Sequence, residues 1–253
     1  MTRFALDDAA WTNRWRARSV AEKAVLSGGL LLVAVSATAP VVPIGIGLFA
    51  LLAAVAWARV PWRTFVAAWT GPLIFTLIGL VGVVVSVGAV PHPVLTAGPL
   101  AVDERSVSSA VLIGSRAFGC SAAVLLLAST TPVVDVFESL RRLRVPEVML
   151  DLAGVMYRLI FVLGATLTRT REAQAARLGY ARGACARRSV AALFVRTLVH
   201  GWDRAARLER GLAGRGYNGS LRMLAPERPV SWRFVGSSVA VVAVAAAASV
   251  VLR

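Results

Sequence analysis

Residues 147–168, EVMLDLAGVMYRLIFVLGATLT, are apolar enough to cross a bilayer, but the segment that follows them is strongly basic. Residues 169–232 carry thirteen arginines against four acidic residues. Because arginine-rich segments stay on the cytoplasmic side of a membrane, a crossing at 147–168 would oppose the strongest topology signal in the chain. We therefore expect 147–168 to form a helix on the cytoplasmic side, embedded shallowly or packed under the other helices, with Arg158 on it.

Five other apolar runs approach the roughly 20 residues that a membrane helix needs. Basic residues precede the first run and follow the second, at Arg59 and Arg63, whereas loop 91–106 holds a single arginine beside two acidic residues. This bias predicts a cytoplasmic N-terminus, an outer loop 91–106 and a C-terminus outside. The five predicted spans are 24–39, 42–58, 66–90, 107–129 and 233–251.

The predicted fold class is an all-α integral membrane protein of the cell inner (plasma) membrane. It would have about five transmembrane helices and three amphipathic cytoplasmic helices. Its predicted parts are a cytoplasmic N-terminal segment at 1–23, a four-helix transmembrane region at 24–129, a cytoplasmic helical part at 130–232 and a C-terminal transmembrane helix at 233–253.

The composition supports a polytopic membrane protein, since 57% of the residues are apolar and the mean hydropathy is +0.71. The net charge of +15 would suggest nucleic acid as the partner of a soluble protein. In a membrane protein it is explained by topology and by contact with membrane lipid headgroups. Trp202, Phe194 and Phe137 fall on apolar helix faces rather than among the arginines, so we expect no nucleic-acid partner.

The cytoplasmic part predicts three helices. The first begins at Thr131 and Pro132, a hydroxyl N-cap followed by proline at the first helical position, and ends at Pro146. The second covers about 147–177 and the third about 189–213. Between them lies a loop with glycine at a position suited to end a helix.

The residues exclude several kinds of chemistry. Lys23 is the only lysine, and it follows no glycine-rich loop, so the chain lacks a P-loop for ATP. His92 and His200 are isolated, and Cys120 and Cys185 are far apart in the sequence. We therefore expect no catalytic residue, no metal ligand set and no cofactor in this chain.

Arg116 lies inside the fourth predicted span, where a charge costs roughly 2.5–3.5 kcal/mol, so it should face the helix bundle or a water-filled path. It is either a contact to a partner membrane subunit or an internal hydrogen-bond donor to a backbone carbonyl or a hydroxyl. The sequence leaves these two interpretations open.

Two short motifs near helix ends each present an arginine between small or apolar neighbours. They are Ala176-Arg177-Leu178 and Gly214-Arg215-Gly216. Arginine pairs bidentately with carboxylates, and small neighbours allow its fork to enter a narrow acidic groove. Without further information, the same arginines could simply belong to a basic face under the bilayer.

An ordered set of short stretches resembles the transmembrane coupling (T) component of energy-coupling factor (ECF) ABC transporters, and within it the CbiQ cobalt-transport family. The set covers most of residues 14–222, although each stretch alone is weakly specific. The stretches are Arg14-Trp15-Arg16, Ala21-Glu22-Lys23, Thr130-Thr131-Pro132, residues 140–146 (LRRLRVP), Met156-Tyr157-Arg158, residues 173–180 (AQAARLGY) and residues 214–219 (GRGYNG).

The resemblance implies that the cytoplasmic helices are coupling helices and that Arg177 and Arg215 dock into grooves on a pair of ABC-type ATPases. Those ATPases would bind ATP and Mg, and a CbiM-like membrane subunit would bind the substrate, cobalt by resemblance. The chain departs from the family's Ala-Arg-Gly pattern at Leu178 and at Gly214. Leu178 is followed by Gly179, which would preserve close approach.

A second class of function is a secondary transporter or channel that acts alone. Such proteins usually show internal repeats with broken helices at matching positions, and the sequence shows no convincing repeat. The sequence therefore favours a coupling subunit of an importer over a stand-alone transporter.

Overall fold

The computed structural model describes residues 5–87, 93–97, 100–217 and 230–252, and the chain forms two compact units. The first unit comprises Met1–Val136 and Pro226–Arg253, and the second comprises Phe137–Ala225. The boundary between them falls near the start of the predicted cytoplasmic part.

The first unit is built mainly from membrane-length and shorter apolar helices. Helix α3 continues into a π-helical turn, and a 3-10 turn separates α1 from α2. The elements are α1 (Ala5–Thr12), the 3-10 turn (Arg14–Ala17), α2 (Val20–Ser36), α3 (Val41–Leu52), the π turn (Ala53–Trp57), α4 (Trp62–Val84), α5 (Glu104–Thr130) and α9 (Trp232–Val251).

A short antiparallel sheet lies between α4 and α5, and the sequence analysis did not predict it. Its strand order is β1-β3-β2, with Val85 paired to Val102 and Ala97 paired to Leu100. Helix α4 ends at Val84 instead of reaching residue 90, because Val85–Val87 pair with residues 100–102 as a strand. The strands are β1 (Val85–Val87), β2 (Pro93–Ala97) and β3 (Leu100–Asp103).

The second unit contains the helices that the sequence predicted on the cytoplasmic side. Helix α6 begins in the first unit, and its last residues belong to the second. Helix α8 begins six residues earlier than predicted, at Gly183 instead of 189. The bounds are α6 (Val133–Arg142), α7 (Glu147–Ala176) and α8 (Gly183–Ala213).

The prediction of an all-α, multi-pass membrane protein is confirmed. Among the described residues, four helices are long and apolar enough to cross a membrane: α4, α5 from Arg105 onward, α7 and α9. Residues 41–57 form a shorter apolar helix, and α2 has 17 residues. Since α7 also meets the length and composition of a span, the cytoplasmic placement of 147–168 stays a prediction.

Glycines let the helices of the first unit pack closely. A Cβ at Gly119 would lie 2.6 Å from the carbonyl oxygen of Pro43, so α3 and α5 meet backbone to backbone there. A Cβ at Gly29 would lie 2.6 Å from a methyl of Val242, which fixes the contact between α2 and α9. Small residues are common where helices contact each other in membranes. They let the backbones approach closely, which increases van der Waals attraction and excludes lipid from the contact.

Two buried charged residues, Glu22 and Lys23, tie the ends of two other helices. The Lys23 ammonium donates a hydrogen bond to the Thr130 carbonyl at the C-terminus of α5, at 2.8 Å. The Glu22 carboxylate accepts a hydrogen bond from the Ser231 backbone N–H, which precedes the first residue of α9, at 2.5 Å. These side chains are 0% and 1% exposed, and each sign of charge faces the helix end of opposite partial charge.

Asn13 completes this arrangement, and we refer to Asn13, Glu22 and Lys23 together as the clasp. Its side-chain amide donates hydrogen bonds to the carbonyls of Ser129 and Thr130, at 3.4 and 3.3 Å. The sequence analysis expected Thr131 to cap α6 with its hydroxyl, but the buried Thr131 Oγ1 has no hydrogen-bond partner among the described residues. The clasp therefore organises the end of α5, and α6 begins without a hydroxyl cap.

Candidate functional site

Helices α7 and α8 run antiparallel and contact each other at two levels. The Gln174 side-chain amide donates a hydrogen bond to the Ser189 carbonyl, at 3.1 Å. Further along, a Cβ at Gly201 would lie 3.6 Å from a methyl of Leu163. Residue numbers increase along α7 as they decrease along α8 at these contacts, so the two helices are antiparallel. Their C-termini therefore point in opposite directions.

The first motif lies where α7 ends in a Schellman turn. The Gly179 N–H donates to the Gln174 carbonyl at 2.8 Å, and the Leu178 N–H donates to the Ala175 carbonyl at 3.0 Å. Leu178 takes the left-handed conformation, with φ at 58°, a position that usually requires glycine. Arg177 is therefore the C-cap residue of α7.

Side chains then hold this turn against α8. The Ser189 hydroxyl donates to the Gly179 carbonyl at 2.8 Å, and the Tyr180 hydroxyl donates to the Gln174 side-chain oxygen at 2.7 Å. A Cβ at Gly179 would lie 2.7 Å from Ser189 Oγ and 2.9 Å from the Gln174 carbonyl oxygen. The close approach that Gly179 permits is thus used within the chain, to fix the turn that carries Arg177.

The second motif lies at an equivalent turn where α8 ends. The Tyr217 N–H donates to the Leu212 carbonyl at 3.1 Å, and the Gly216 N–H donates to the Ala213 carbonyl at 3.2 Å. Gly216 takes the left-handed position, with φ at 70°. Counted from these bonds, Arg215 has the same place in its turn that Arg177 has in the other.

The two arginines are also equivalent about the contact between α7 and α8. Arg177 follows Leu163 by 14 residues (177 − 163), and Arg215 follows Gly201 by 14 residues (215 − 201). At 1.5 Å per residue, each arginine lies about 21 Å along its helix from that contact. The hairpin of α7 and α8 therefore presents two like tips at its opposite ends, at similar distances from this contact.

Both tips are open to solvent. The six motif residues are exposed, and Leu178 is 74% exposed. Within the described part of the chain, neither guanidinium makes a hydrogen bond or an ion pair. A cation at a helix C-terminus is favoured by the helix dipole, and each exposed guanidinium has its five donors available. The six residues are Ala176, Arg177, Leu178, Gly214, Arg215 and Gly216.

A third turn of the same kind ends α6, and the sequence analysis missed it. The Val145 N–H donates to the Leu140 carbonyl at 3.3 Å, and Arg144 takes the left-handed position with φ at 61°. An ion pair of 3.1 Å between Arg141 and Asp151 links α6 to α7. Residues 140–146 are among the stretches that carry the family resemblance, and that signal could have found this turn.

Arg116 makes the internal contact that was one of its two interpretations. Its Nε donates to the Ala37 carbonyl at the C-terminal end of α2, at 2.9 Å, and the side chain is half-buried. This bond satisfies one of the guanidinium's donors. The contact to a partner subunit stays a prediction for the others.

The part of the chain that the structure describes contains no cluster of three or more histidine, cysteine or acidic side chains able to hold a metal ion. His200 is exposed on α8. His92, and the residues Asn218 and Gly219 of the second motif region, lie outside the described residues.

Comparison with known proteins identifies the family to which the chain is similar. The family profile described as "Cobalt transport protein" (CbiQ) matches residues 12–225. The chain is 33% identical to the cobalt transport protein CbiQ of Rhodobacter capsulatus over 256 residues, covering 100% of both chains. It is 28% identical to an uncharacterized protein of Methanocaldococcus jannaschii, over 87% of this chain and 82% of that one.

A third relative is a putative fused cobalt transport protein CbiMQ of Methanocorpusculum labreanum. It is 24% identical over 86% of this chain, which corresponds to 37% of the fused protein. The family profile spans both arginine motifs and the clasp, so the same region that forms the two tips carries the similarity. This multi-pass membrane protein belongs to the CbiQ family of cobalt transport proteins.

Proposed function

We propose that this chain is the transmembrane coupling (T) subunit of an ECF-type ABC importer for cobalt. In this role it transmits ATP-driven motion from two cytosolic ATPases to a membrane subunit that binds the substrate. The ATPases hold ATP and Mg, and the chain itself needs no cofactor. The observation that carries the proposal is the pair of equivalent arginine tips on the α7–α8 hairpin.

Two equivalent tips suit a partner that is itself a pair. Arg177 and Arg215 occupy the same position in the same kind of turn, each about 21 Å along its helix from the α7–α8 contact. An ATPase dimer offers two like grooves, and the guanidinium fork pairs bidentately with carboxylates in such a groove. A basic membrane face would need positive charge but not this matched geometry.

The contacts of the hairpin suit it to move as a lever. Hydrogen bonds from Gln174 and Ser189 fix the tip of α7 to α8, and the bond from Tyr180 to Gln174 fixes the turn to α7. The ion pair from Arg141 to Asp151 fixes α6 to α7. When ATP binding draws the two ATPases together, force applied at the tips is carried along rigid helices instead of being lost in a flexible loop.

The substrate subunit would contact this chain within the plasma membrane. The N-terminus of the chain would lie on the cytoplasmic side of that membrane. A CbiM-like partner is supported by the fused relative, whose printed name joins CbiM and CbiQ. Helix α4 has an exposed apolar face that includes Phe75 and Ile78, which are 81% and 69% exposed. Arg116 is a further candidate contact. The metal would bind to the partner.

The test is affinity purification of the tagged full-length chain from membranes that contain its natural partners. The double variant Arg177→Glu/Arg215→Glu should lose the ABC-type ATPases by at least about tenfold, because each reversed charge would face an acidic groove. A matched control is Arg171→Glu/Arg204→Glu, which makes the same change in net charge at exposed positions on the bodies of α7 and α8.

The control variant should retain the ATPases, and both variants should reach the membrane in similar amounts. Equal recovery of ATPases with the tip variant and the control would contradict docking through the tips. Recovery of the chain without any ATPase, together with solute movement in reconstituted vesicles without ATP, would instead indicate a stand-alone transporter.

A further inference from the structure

A cavity of about 570 Å³ lies in the first unit beside the clasp, and the coupling role does not explain it. Its polar wall comes from the 3-10 turn and α2, with Arg14, Arg18 and Glu22, and from the start of α9. Three serines and several aromatic rings complete the wall. These are Ser231, Ser237, Ser238, Trp15, Trp57 and Phe234.

Two buried polar atoms on this wall lack a partner. Glu22 Oε2 and the Ser238 hydroxyl have no hydrogen-bond partner among the described residues, and their side chains are 0% and 2% exposed. The Arg18 guanidinium approaches Glu22 Oε2 only to 3.7 Å and also lies 4.4 Å from the centre of the Phe234 ring. An unsatisfied buried polar atom costs about 1–3 kcal/mol, so this wall is arranged for a polar group that the protein does not supply.

The charges on the wall leave one positive charge uncompensated. Arg14 and Arg18 contribute two positive charges, and Glu22 contributes one negative charge. The Arg14 side chain is exposed, and that of Arg18 is 40% exposed, so both can turn toward an incoming anion. A single phosphodiester would balance the cavity, and hydroxyl groups next to it would suit the carboxylate and the serines.

A second, apolar groove continues from the same cavity. It has a volume of about 290 Å³ and shares Phe49 and Val241 with the polar cavity. Its lining from α2, α3 and α9 includes Val41 and Val244, which are 64% and 70% exposed, so the groove is open along its side. From Ser238 to Leu252 the shared wall extends about 21 Å along α9, long enough for most of an acyl chain.

We propose that the polar cavity and the apolar groove together form a binding site for one anionic phospholipid with a hydroxyl-bearing headgroup, of the phosphatidylglycerol type. Its phosphate binds Arg14 and Arg18, and one acyl chain lies in the groove between α3 and α9. As Arg18 turns from the carboxylate to the phosphate, a headgroup hydroxyl donates to Glu22 Oε2. The lipid then stabilises the joint that the clasp makes between α2 and α9.

The test is native mass spectrometry of the purified full-length protein, titrated with dioleoyl phosphatidylglycerol or with dioleoyl phosphatidylcholine. One phosphatidylglycerol should bind per chain with clear preference over phosphatidylcholine. Arg14→Gln and Arg18→Gln should each weaken that binding about fivefold, the effect typical of one arginine near an anionic headgroup. Arg16→Gln is the matched control, since Arg16 lies on the same 3-10 turn but does not line the cavity.

A second pair of variants tests the groove without touching the charges. Gly45 lines the groove, and a Cβ there meets no atom within 4 Å, so Gly45→Leu fills the groove without a clash at Cβ. Gly28→Leu is its control, because Gly28 is equally free of neighbours but lines neither cavity. Gly45→Leu should reduce phosphatidylglycerol binding at least about fivefold, and Gly28→Leu should not.

Equal binding of the two lipids, or an equal loss with Arg16→Gln and Arg18→Gln, would overturn the proposal. Full displacement of the lipid by inorganic phosphate would show a simple anion site and would also overturn it. The proposal would also be overturned if the wild-type protein bound no lipid and Gly45→Leu lost a co-purified membrane partner. The groove would then hold a protein segment.

Discussion

Charged residues lie at helix ends in both units of the molecule, but their surroundings differ. In the first unit, Glu22 and Lys23 are fully buried and bond to backbone groups at the ends of α9 and α5. In the second unit, Arg177 and Arg215 are exposed at the ends of α7 and α8, with no partner among the described residues. A charge at a helix end therefore holds helices together in the first unit. In the second unit it leaves a guanidinium available for binding.

Burial, and not charge, separates the structural role of the clasp from the binding role of the two arginines. A buried ammonium must keep its hydrogen bonds, because removing its partner leaves a desolvated charge. An exposed arginine gives up little when it exchanges water for a carboxylate, and it can therefore be used for reversible docking. Substitutions in the clasp should thus change stability first, and substitutions at the tips should change binding first.

The largest stability effect should come from Lys23→Met, which keeps an unbranched side chain of nearly the same length but removes the donor to the Thr130 carbonyl. We expect a loss of about 2 kcal/mol, because the hydrogen bond from a charged donor to a buried carbonyl is removed and only the longer bond from Asn13 remains on that carbonyl. The measurement is thermal unfolding of the detergent-purified protein. Arg16→Gln, at a partly exposed position nearby, should leave the unfolding temperature unchanged.

An unfolding temperature for Lys23→Met equal to that of the wild type would show that the clasp does not hold the first unit together. A wild-type-like amount of bound ATPase per folded Lys23→Met protein would show that the clasp serves stability and not docking.

A smaller stability effect, of about 1 kcal/mol, should come from Gly179→Val in the second unit. The new Cβ would lie 2.9 Å from the Gln174 carbonyl oxygen, so the turn that carries Arg177 must shift. We expect ATPase binding to fall several-fold while the unfolding temperature changes little. The control is Gly183→Ala at the first residue of α8, where a Cβ meets no atom within 4 Å.

Unchanged ATPase binding by Gly179→Val, measured by co-purification, would mean that the position of the turn does not matter. That result would argue that Arg177 acts as a general positive charge instead of a placed docking residue.

Much of the fold was predictable from the sequence because it depends on long apolar runs. The spans at 66–90, 107–129 and 233–251 correspond to helices within a few residues at most ends. The sheet after α4 was not predicted, because a run of valines is apolar in either a helix or a strand, and only pairing with residues 100–103 decides between them.

The tips and the clasp differ in how much the sequence could say about them. The motif arginines were identified as candidates, but their equivalence depends on hydrogen bonds such as those of Gly179 and Tyr217, which need the folded turns. Leu178 in a left-handed conformation is not what its side chain would suggest. The sequence indicated no structural role for Glu22 and Lys23 beyond their part in a resemblance, because nothing local distinguishes them from a solvated pair before a membrane helix.

The most direct test of the docking role is site-specific photocrosslinking in native membranes. Benzoylphenylalanine would replace Leu178 or Tyr217, which lie within two residues of a motif arginine and are 74% and 42% exposed. The control position is Phe194 on the body of α8, which is 67% exposed. We expect both tip positions, and not Phe194, to crosslink to an ABC-type ATPase. Absence of a crosslink at both tips, in membranes where the ATPase still co-purifies with the chain, would contradict docking through Arg177 and Arg215.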